Sequence, residues 1–262
     1  MSEVLLQLTQ VDKYFGGVHA IDSFSLTMQA GAIHGLIGPN GAGKTTIFNT
    51  ITGIYRADSG SIRFDGEDIT SIRPDQASAK GIARTFQNIR LFNNLSVKEN
   101  VVIACNMHAR YGIADALLRT PRFRRQRAEI EARAMHFLQT VGLESNAEDK
   151  AGSLPYGHQR KLEIARAMAT RPKLLLLDEP AAGMNADESI ELVEFIRRLK
   201  ELYPVTILMI EHHMDVVTNL CEQCTVLNFG KTLATGRMED IRKNPEVVEA
   251  YLQRHDRLQQ DL

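Results

Sequence analysis

The nine residues Gly38-Pro39-Asn40-Gly41-Ala42-Gly43-Lys44-Thr45-Thr46 constrain this chain more than any other stretch. They fit G-x-x-x-x-G-K-S/T, a loop whose backbone wraps a phosphate. Gly38, Gly41 and Gly43 let the backbone curl tightly with no Cβ in the way. Successive N–H groups then point inward as an anion nest. Lys44 brings a mobile positive charge to the β- and γ-phosphates, and the Thr45 hydroxyl suits a Mg²⁺ ion. Ala32–Ile37 before the loop reads as a buried strand. Thr46–Ile51 after it reads as a helix, whose N-terminus favours anions. Strand, loop and helix in this order set the stretch apart from a glycine-rich turn with a chance lysine.

The rest of the composition narrows the setting. A chain of 262 residues is long enough for one or two domains with a real core. Its formal charge of −1 supplies no basic field for nucleic acid. No apolar run approaches the roughly 20 residues of a membrane span. Residues 1–10 lack a basic start followed by a long apolar core, so no signal peptide is expected. Three cysteines make no disulfide framework. A cytosolic protein is expected, and any membrane part of its process belongs to another polypeptide.

Residues 4–28 alternate apolar and polar through Val4, Leu6, Leu8, Ile21, Phe24, Leu26 and Met28, the pattern of antiparallel strands. Lys13–Gly17 is predicted to be the turn between them, with an aromatic that either stacks on a purine or packs on its own sheet. Ser61–Gly66 reads as a further short strand and turn. From about residue 74 to 165 the character becomes helical. Ile130, Ala134, Phe137, Leu138 and Val141 fall on one helix face. The arginines at 119, 122, 124, 125 and 127 before it read as solvated surface, with contact to a partner as the other reading. Leu174–Leu177 and Val205–Ile210 are continuous apolar strands of the kind found in a parallel sheet covered on both faces. Between them residues 187–202 form an amphipathic helix through Ile190, Leu192, Val193, Phe195, Ile196 and Leu199. Cys221-x-x-Cys224 reads as packing, because a four-ligand metal site would need two more soft ligands and only Cys105 remains.

Chemistry gathers at strand ends. The Leu174–Leu177 strand runs into Asp178-Glu179-Pro180. Carboxylates at a strand's C-terminal end face the ligand crevice of an α/β sheet. Asp178 suits a Mg²⁺ shell, and Glu179 suits a general base that polarises an attacking water. The next strand ends in Glu211-His212-His213, where a histidine can position that water against a γ-phosphate. Gln87, in Thr85-Phe86-Gln87, can reach the Mg²⁺ ion and the water.

Gly38–Thr46, Gln87, Leu154–Gln159, Leu174–Glu179 and His212, in this order, resemble an ATP-binding cassette ATPase over nearly the whole chain. Arg84–Phe92, Tyr156–Arg166, Pro180–Asn185 and Ile210–His212 further resemble the LivG-type subunits of branched-chain amino-acid importers. The resemblance implies an α/β fold: a P-loop NTPase core with an N-terminal antiparallel β subdomain and an inserted helical subdomain over about residues 88–165 of a single 1–262 cassette. It implies an ATPase using ATP and Mg²⁺. Gly38, Pro39, Asn40, Gly41, Ala42, Gly43, Lys44, Thr45 and Thr46 become the nucleotide loop, Thr45, Gln87 and Asp178 the metal ligands, and Glu179 the base. Gln87 faces the membrane subunit and His212, not His213, is the switch histidine. Phe15 stacks on adenine, with Tyr14 as the alternative.

Two departures stand out. The family signature Leu-Ser-Gly-Gly-Gln is here Leu154-Pro155-Tyr156-Gly157-His158, so a serine hydroxyl that donates to the partner cassette's ATP is replaced by proline. Asn185 stands where the family has aspartate. Arg160–Met168 still promises a helix whose dipole faces that phosphate. The implied partners are a paralogous LivF-type cassette, two membrane permease subunits and, indirectly, a periplasmic or extracellular solute-binding protein. The implied place is the cytoplasmic face of the inner membrane. Importers of amides, urea or aromatic acids share these features, and a lipopolysaccharide-type exporter fits them less well. Repair and chromosome ATPases insert a long coiled coil that is missing here, and translation-factor cassettes carry two copies in one chain. Phosphate-loop kinases lack the signature and switch histidine.

Overall fold

The N-terminal alternation becomes two antiparallel strands, β1 (Val4–Phe15) and β2 (Val18–Gln29), in a computed structural model that describes residues 3–250. Residues 1–2 and 251–262 of the expected cassette lie outside the described residues. The turn is shorter than Lys13–Gly17: Lys13, Tyr14 and Phe15 pair with Ile21, His19 and Val18, and only Gly16 and Gly17 turn. A two-residue loop with a positive φ at Gly16 suffices to reverse a hairpin. The buried β3 (Ile33–Ile37) leads through the glycine loop into α1 (Lys44–Ile51). Then come β4 (Ser59–Phe64) and β5 (Glu67–Asp68), which complete a four-stranded sheet in the order β2-β1-β4-β5.

Residues 74–165, read as helical, contain a strand. After α2 (Pro74–Ala79) comes β6 (Ile82–Arg84), three residues that are too short to show a period. The chain divides into two compact units at this strand: Met1–Ile82 with Lys173–Leu262, and Ala83–Pro172. The second unit holds α3 (Val97–Cys105), α4 (Ile113–Leu117), α5 (Pro121–Thr140) and α6 (Tyr156–Ala169). Helices α3, α5 and α6 pack on one another. Ile130, Ala134, Phe137, Leu138 and Val141 are buried, as their spacing predicts. Ser96 caps α3 in a reciprocal box with Glu99, satisfying two N–H groups the helix leaves open.

Back in the first unit, β7 (Leu174–Asp178), α7 (Ala186–Leu202), β8 (Thr206–Ile210), α8 (Met214–Leu220), β9 (Gln223–Asn228), β10 (Lys231–Gly236) and α9 (Met238–Ile241) follow. The main sheet runs β10-β9-β3-β8-β7-β6. Strand β3 is parallel to β8 and β9, and β7 is parallel to β8. Every residue of β3, β7 and β8 is buried, which explains why their sequences do not alternate. Ile190 departs from expectation: it is exposed, while Leu192, Val193, Phe195, Ile196 and Leu199 form the buried stripe of α7. A stripe of that width already covers the sheet, so Ile190 falls on its margin. Cys221 and Cys224 do pack: a Cβ on Gly35 would lie 3.0 Å from the Cys224 Sγ and 3.1 Å from the Cys221 Sγ. Among the described residues no helix is long and apolar enough to cross a membrane.

Candidate functional site

Because β3, β7 and β8 are adjacent and parallel, the residues that leave their C-terminal ends share one edge of the sheet. Those residues are Gly38, Glu179 and Glu211. The loop after β3 requires glycine for two different reasons. At Gly38, with φ at 146°, a Cβ would lie 2.1 Å from the Leu227 carbonyl oxygen, and at Gly43, with φ at 104°, it would lie 2.4 Å from that of Ala20. Backbone already occupies the space a side chain needs. Gly41 has open space around it and is required for its φ of 79° alone. The loop is pinned from β9's end, where the Gly230 N–H donates to the Ala42 carbonyl at 2.9 Å. Gly43 caps α1 with no side-chain hydrogen bond, so first-turn N–H groups remain for a ligand. Pro39 and Thr46 are half-buried, and Asn40 and Thr45 are exposed. Lys44 is buried, and its ammonium donates to the carbonyls of Gly38 at 2.7 Å and Pro39 at 2.9 Å.

Asp178 closes β7 and is buried. The next residue, Glu179, turns to a φ of 48°, with its N–H on the Ile210 carbonyl at 2.9 Å and its own carbonyl accepting the Ala182 N–H at 3.1 Å. Its Oε1 lies 3.0 Å from Nε2 of His212. His213 is exposed and caps α8. One residue that sequence reasoning missed is Glu211. It is fully buried, and one carboxylate oxygen accepts the Ala181 N–H at 2.7 Å. The other accepts the N–H groups of His212 at 2.7 Å and His213 at 3.0 Å. Glu211 thus ties the segment after β7 to the segment after β8, which fixes Glu179 against His212. The available signal was an acid placed directly after four buried apolar positions, Ile207 to Ile210, where a charge needs a strong structural reason.

Of the two aromatic candidates, Tyr14 stacks on His19 with ring centroids 4.0 Å apart. Phe15 meets Tyr55 edge-on at 5.0 Å, with the Lys13 ammonium 5.5 Å from its ring. Both rings are exposed.

In the second unit, Gln87 is exposed at the end of a stretch held from below by α6. Arg160, fully buried, donates to the carbonyls of Phe86 at 2.8 Å and Gln87 at 2.7 Å. It also donates to Glu163 at 2.7 Å and the Tyr156 hydroxyl at 3.2 Å. Glu163 accepts the Arg90 N–H at 3.1 Å, and the Arg90 guanidinium covers the Phe86 ring at 4.1 Å. The sequence alone assigns Arg160 and Glu163 no role; their i, i+3 spacing among core residues is the usable sign.

The altered signature is well ordered. Leu154 is buried, and Pro155 is the exposed cap of α6, whose first bond runs from the Gln159 N–H to the Pro155 carbonyl at 3.0 Å. The helix starts at Tyr156, earlier than the predicted Arg160, so Tyr156, Gly157 and His158 make up its first turn. The Gln159 side chain satisfies the Leu154 carbonyl at 2.8 Å. Asn185 caps α7 through the Glu188 N–H at 2.9 Å, which an aspartate would also do.

The family model described as "ABC transporter" matches residues 21–182, more than half of the chain. The chain belongs to the ABC transporter ATPase family. A second model, "Branched-chain amino acid ATP-binding cassette transporter", matches residues 231–252 of the cassette. The chain is 43% identical to the high-affinity branched-chain amino acid transport ATP-binding protein BraF of Pseudomonas aeruginosa, covering 96% of this chain and 99% of the relative. The identity is also 43%, with the same coverage, for LivG of Escherichia coli K12. Among solved structures, the ADP conformation of an ATP-binding cassette of an ABC transporter superposes with a TM-score of 0.83 at 32% identity, covering 96% of this chain and 99% of that one. A nucleotide-free cassette superposes with a TM-score of 0.82 at 31% identity, covering 95% of this chain and 99% of that one.

The cassette's loop fits a nucleotide's phosphates on its own geometry, since the two glycine positions admit no Cβ and Lys44 is the one cation of the loop. Lys44→Ala is expected to weaken ATP binding roughly ten- to hundred-fold, the worth of one charge-assisted hydrogen bond of about 1.5–3 kcal/mol. Calorimetric titration with ATP measures this directly, and an unchanged affinity would remove Lys44 from the phosphate contacts.

Proposed function

We propose that this cassette is the ATP-hydrolysing subunit of an importer of branched-chain amino acids. The observation that carries the chemistry is the contact of Glu179 and His212 at 3.0 Å on neighbouring strand ends, beside the phosphate loop. In this reading residues 38–46 hold the ATP phosphates, and Phe15 takes the adenine, since His19 covers one face of Tyr14. Thr45 and Asp178 would supply oxygen ligands for Mg²⁺, the hard-cation set expected for that ion, with Gln87 as the third ligand that the family resemblance implies. Glu179 draws the proton from the attacking water, and His212 orients that water and the γ-phosphate. Glu211 sets the distance between them.

The solute follows from the relatives, whose names specify branched-chain amino acid transport and which match nearly the full chain. The cassette would sit peripherally on the cytoplasmic face of the inner membrane, on two permease subunits fed by a solute-binding protein. Proteoliposomes containing the assembled complex test this. ATP-driven uptake of leucine, isoleucine and valine is expected, and transport of amides, urea or aromatic acids in their place would reassign the solute.

The partner cassette is proposed to be a LivF-type paralogue. Two cassettes hold ATP head to tail, so each composite site combines one chain's phosphate loop with the other's signature. A homodimer would place Pro155 in both sites, with neither a hydroxyl nor an N–H to offer. A paralogue with serine at that place leaves one complete site: Lys44, Asp178, Glu179 and His212 here against the partner's serine. The mixed pair is therefore expected to hydrolyse ATP at least about tenfold faster per site than this chain alone, given about 1.5 kcal/mol or more for the lost bond. Pro155→Ser should matter little to that complete site, because Pro155 faces the other one. Equal turnover per site for the isolated chain and the pair would show that the first-turn N–H groups of α6 suffice.

A further inference from the structure

The segment from Met107 to Arg127 is not used by the ATPase chemistry, and it holds the most exposed large hydrophobic side chains among the described residues. In α4 and at its C-cap, Ile113, Leu117 and Leu118 are 90%, 82% and 74% exposed. Ile113 and Leu117 are four apart, on one helix face, with Leu118 beside them. Aliphatic side chains this bare and this close together mark a contact surface. They are not on a loose loop. The Gly112 N–H and the Thr120 hydroxyl both donate to Asp115, at 3.2 and 3.0 Å. Tyr111 packs edge-on against Phe123 at 5.0 Å, and the Arg110 N–H donates to Gln126 at 2.9 Å. The three tips are held out on a braced platform.

Charge says what they meet. The segment carries six arginines, at 110, 119, 122, 124, 125 and 127, and one acid, Asp115, in a chain whose formal charge is −1. All six are exposed. Arg125 and Arg127 pair with Glu129 and Glu131, while among the described residues Arg110, Arg119, Arg122 and Arg124 make no ion pair. The carboxylate of Asp115 is turned inward to its own turn. The Arg122 guanidinium donates to the Arg110 carbonyl at 2.6 Å. An exposed aliphatic knob in a segment rich in arginines without ion-pair partners matches a lipid interface: tips enter the acyl boundary while guanidinium groups meet phosphates. A protein groove would have to be apolar at its floor and acidic at its rim to match the same surface.

We infer that residues 107–127 form a membrane-surface contact that seats this cassette on anionic lipid headgroups. The contact is independent of the transported solute and goes beyond the proposed ATPase role. Co-sedimentation of the purified full chain with vesicles tests it, comparing phosphatidylcholine alone with phosphatidylcholine containing about 30% phosphatidylglycerol. Partitioning at least about tenfold stronger to the anionic vesicles is expected, falling steeply as salt rises from about 0.05 to 0.5 M. Ile113→Ser/Leu117→Ser/Leu118→Ser and Arg119→Gln/Arg122→Gln/Arg124→Gln should each lose most of that binding while ATP affinity stays unchanged. Arg119→Lys/Arg122→Lys/Arg124→Lys should retain it, which separates charge from folding. Equal partitioning of the wild-type chain to both vesicles would overturn the inference. So would a triple-serine variant that binds lipid normally but fails to assemble with the membrane subunits, which would make the patch a protein contact.

Discussion

Glu179→Gln should leave ATP binding close to wild type and lower hydrolysis in the assembled transporter by about 10²–10⁴-fold, the usual cost of losing a general base. The amide keeps the size of the side chain and a hydrogen-bonding atom toward His212 Nε2, which now lies 3.0 Å from a carboxylate oxygen. What it removes is the basic site. Binding should survive because Lys44 and the loop N–H groups belong to a separate segment, after β3. The comparison to make is steady-state phosphate release beside ATP affinity, in the same preparation. Turnover within a factor of two of wild type would mean that another group takes the proton, and the acid beside Asp178 would lose its assigned role.

The second large effect is expected in the other unit. Arg160→Leu should destabilise the protein by about 3–5 kcal/mol, because it strands a buried Glu163 carboxylate without its countercharge. Arg160 and Glu163 are 0% and 2% exposed, so water does little to screen the loss. The same substitution frees the carbonyls of Phe86 and Gln87, and so loosens the stretch that carries Gln87. The double variant Arg160→Met/Glu163→Leu should recover a large part of the stability, since apolar replacement of a whole buried pair is often neutral or better. It should not recover the fixed position of Gln87. Urea denaturation gives the first number, and ATPase stimulation in the assembled transporter gives the second. If Arg160→Leu cost less than about 1 kcal/mol, the pair would have no larger role than an exposed one. If the double variant regained full stimulation as well as stability, the guanidinium would be filling space and nothing more.

Much of this was legible in the sequence because the constraints were dense. Two buried strands without alternation, a glycine loop between strand and helix, and acids at a strand's end each have few physical explanations, and they agree with one another. What escaped lacked a period or a pattern. Strand β6 has three residues, and no hydrophobic repeat can be read from three positions. Phe15 belongs to β1 because it pairs with Val18, a partner that the two glycines beside it do not announce. Glu211 and Arg160 escaped because their work is done through the backbones of other segments. Glu211 acts on Ala181, thirty residues away, and Arg160 on Phe86, seventy-four away. A sequence window records the charge of such a residue but not its partners. Pro155 is the opposite case: its departure from the family signature was visible at once, and the fold shows the helix beginning normally beside it.

The left-handed backbone of Glu179 sets the interests of folding and of turnover against each other at one position. At a φ of 48° an L-residue with a side chain is held in a sparsely populated conformation, at a cost on the order of 1 kcal/mol or more, and glycine would be at ease. Glycine carries no carboxylate. A population of these molecules selected only for resistance to heat would therefore drift toward glycine here, and the best-folded survivors would be those that could no longer spend ATP.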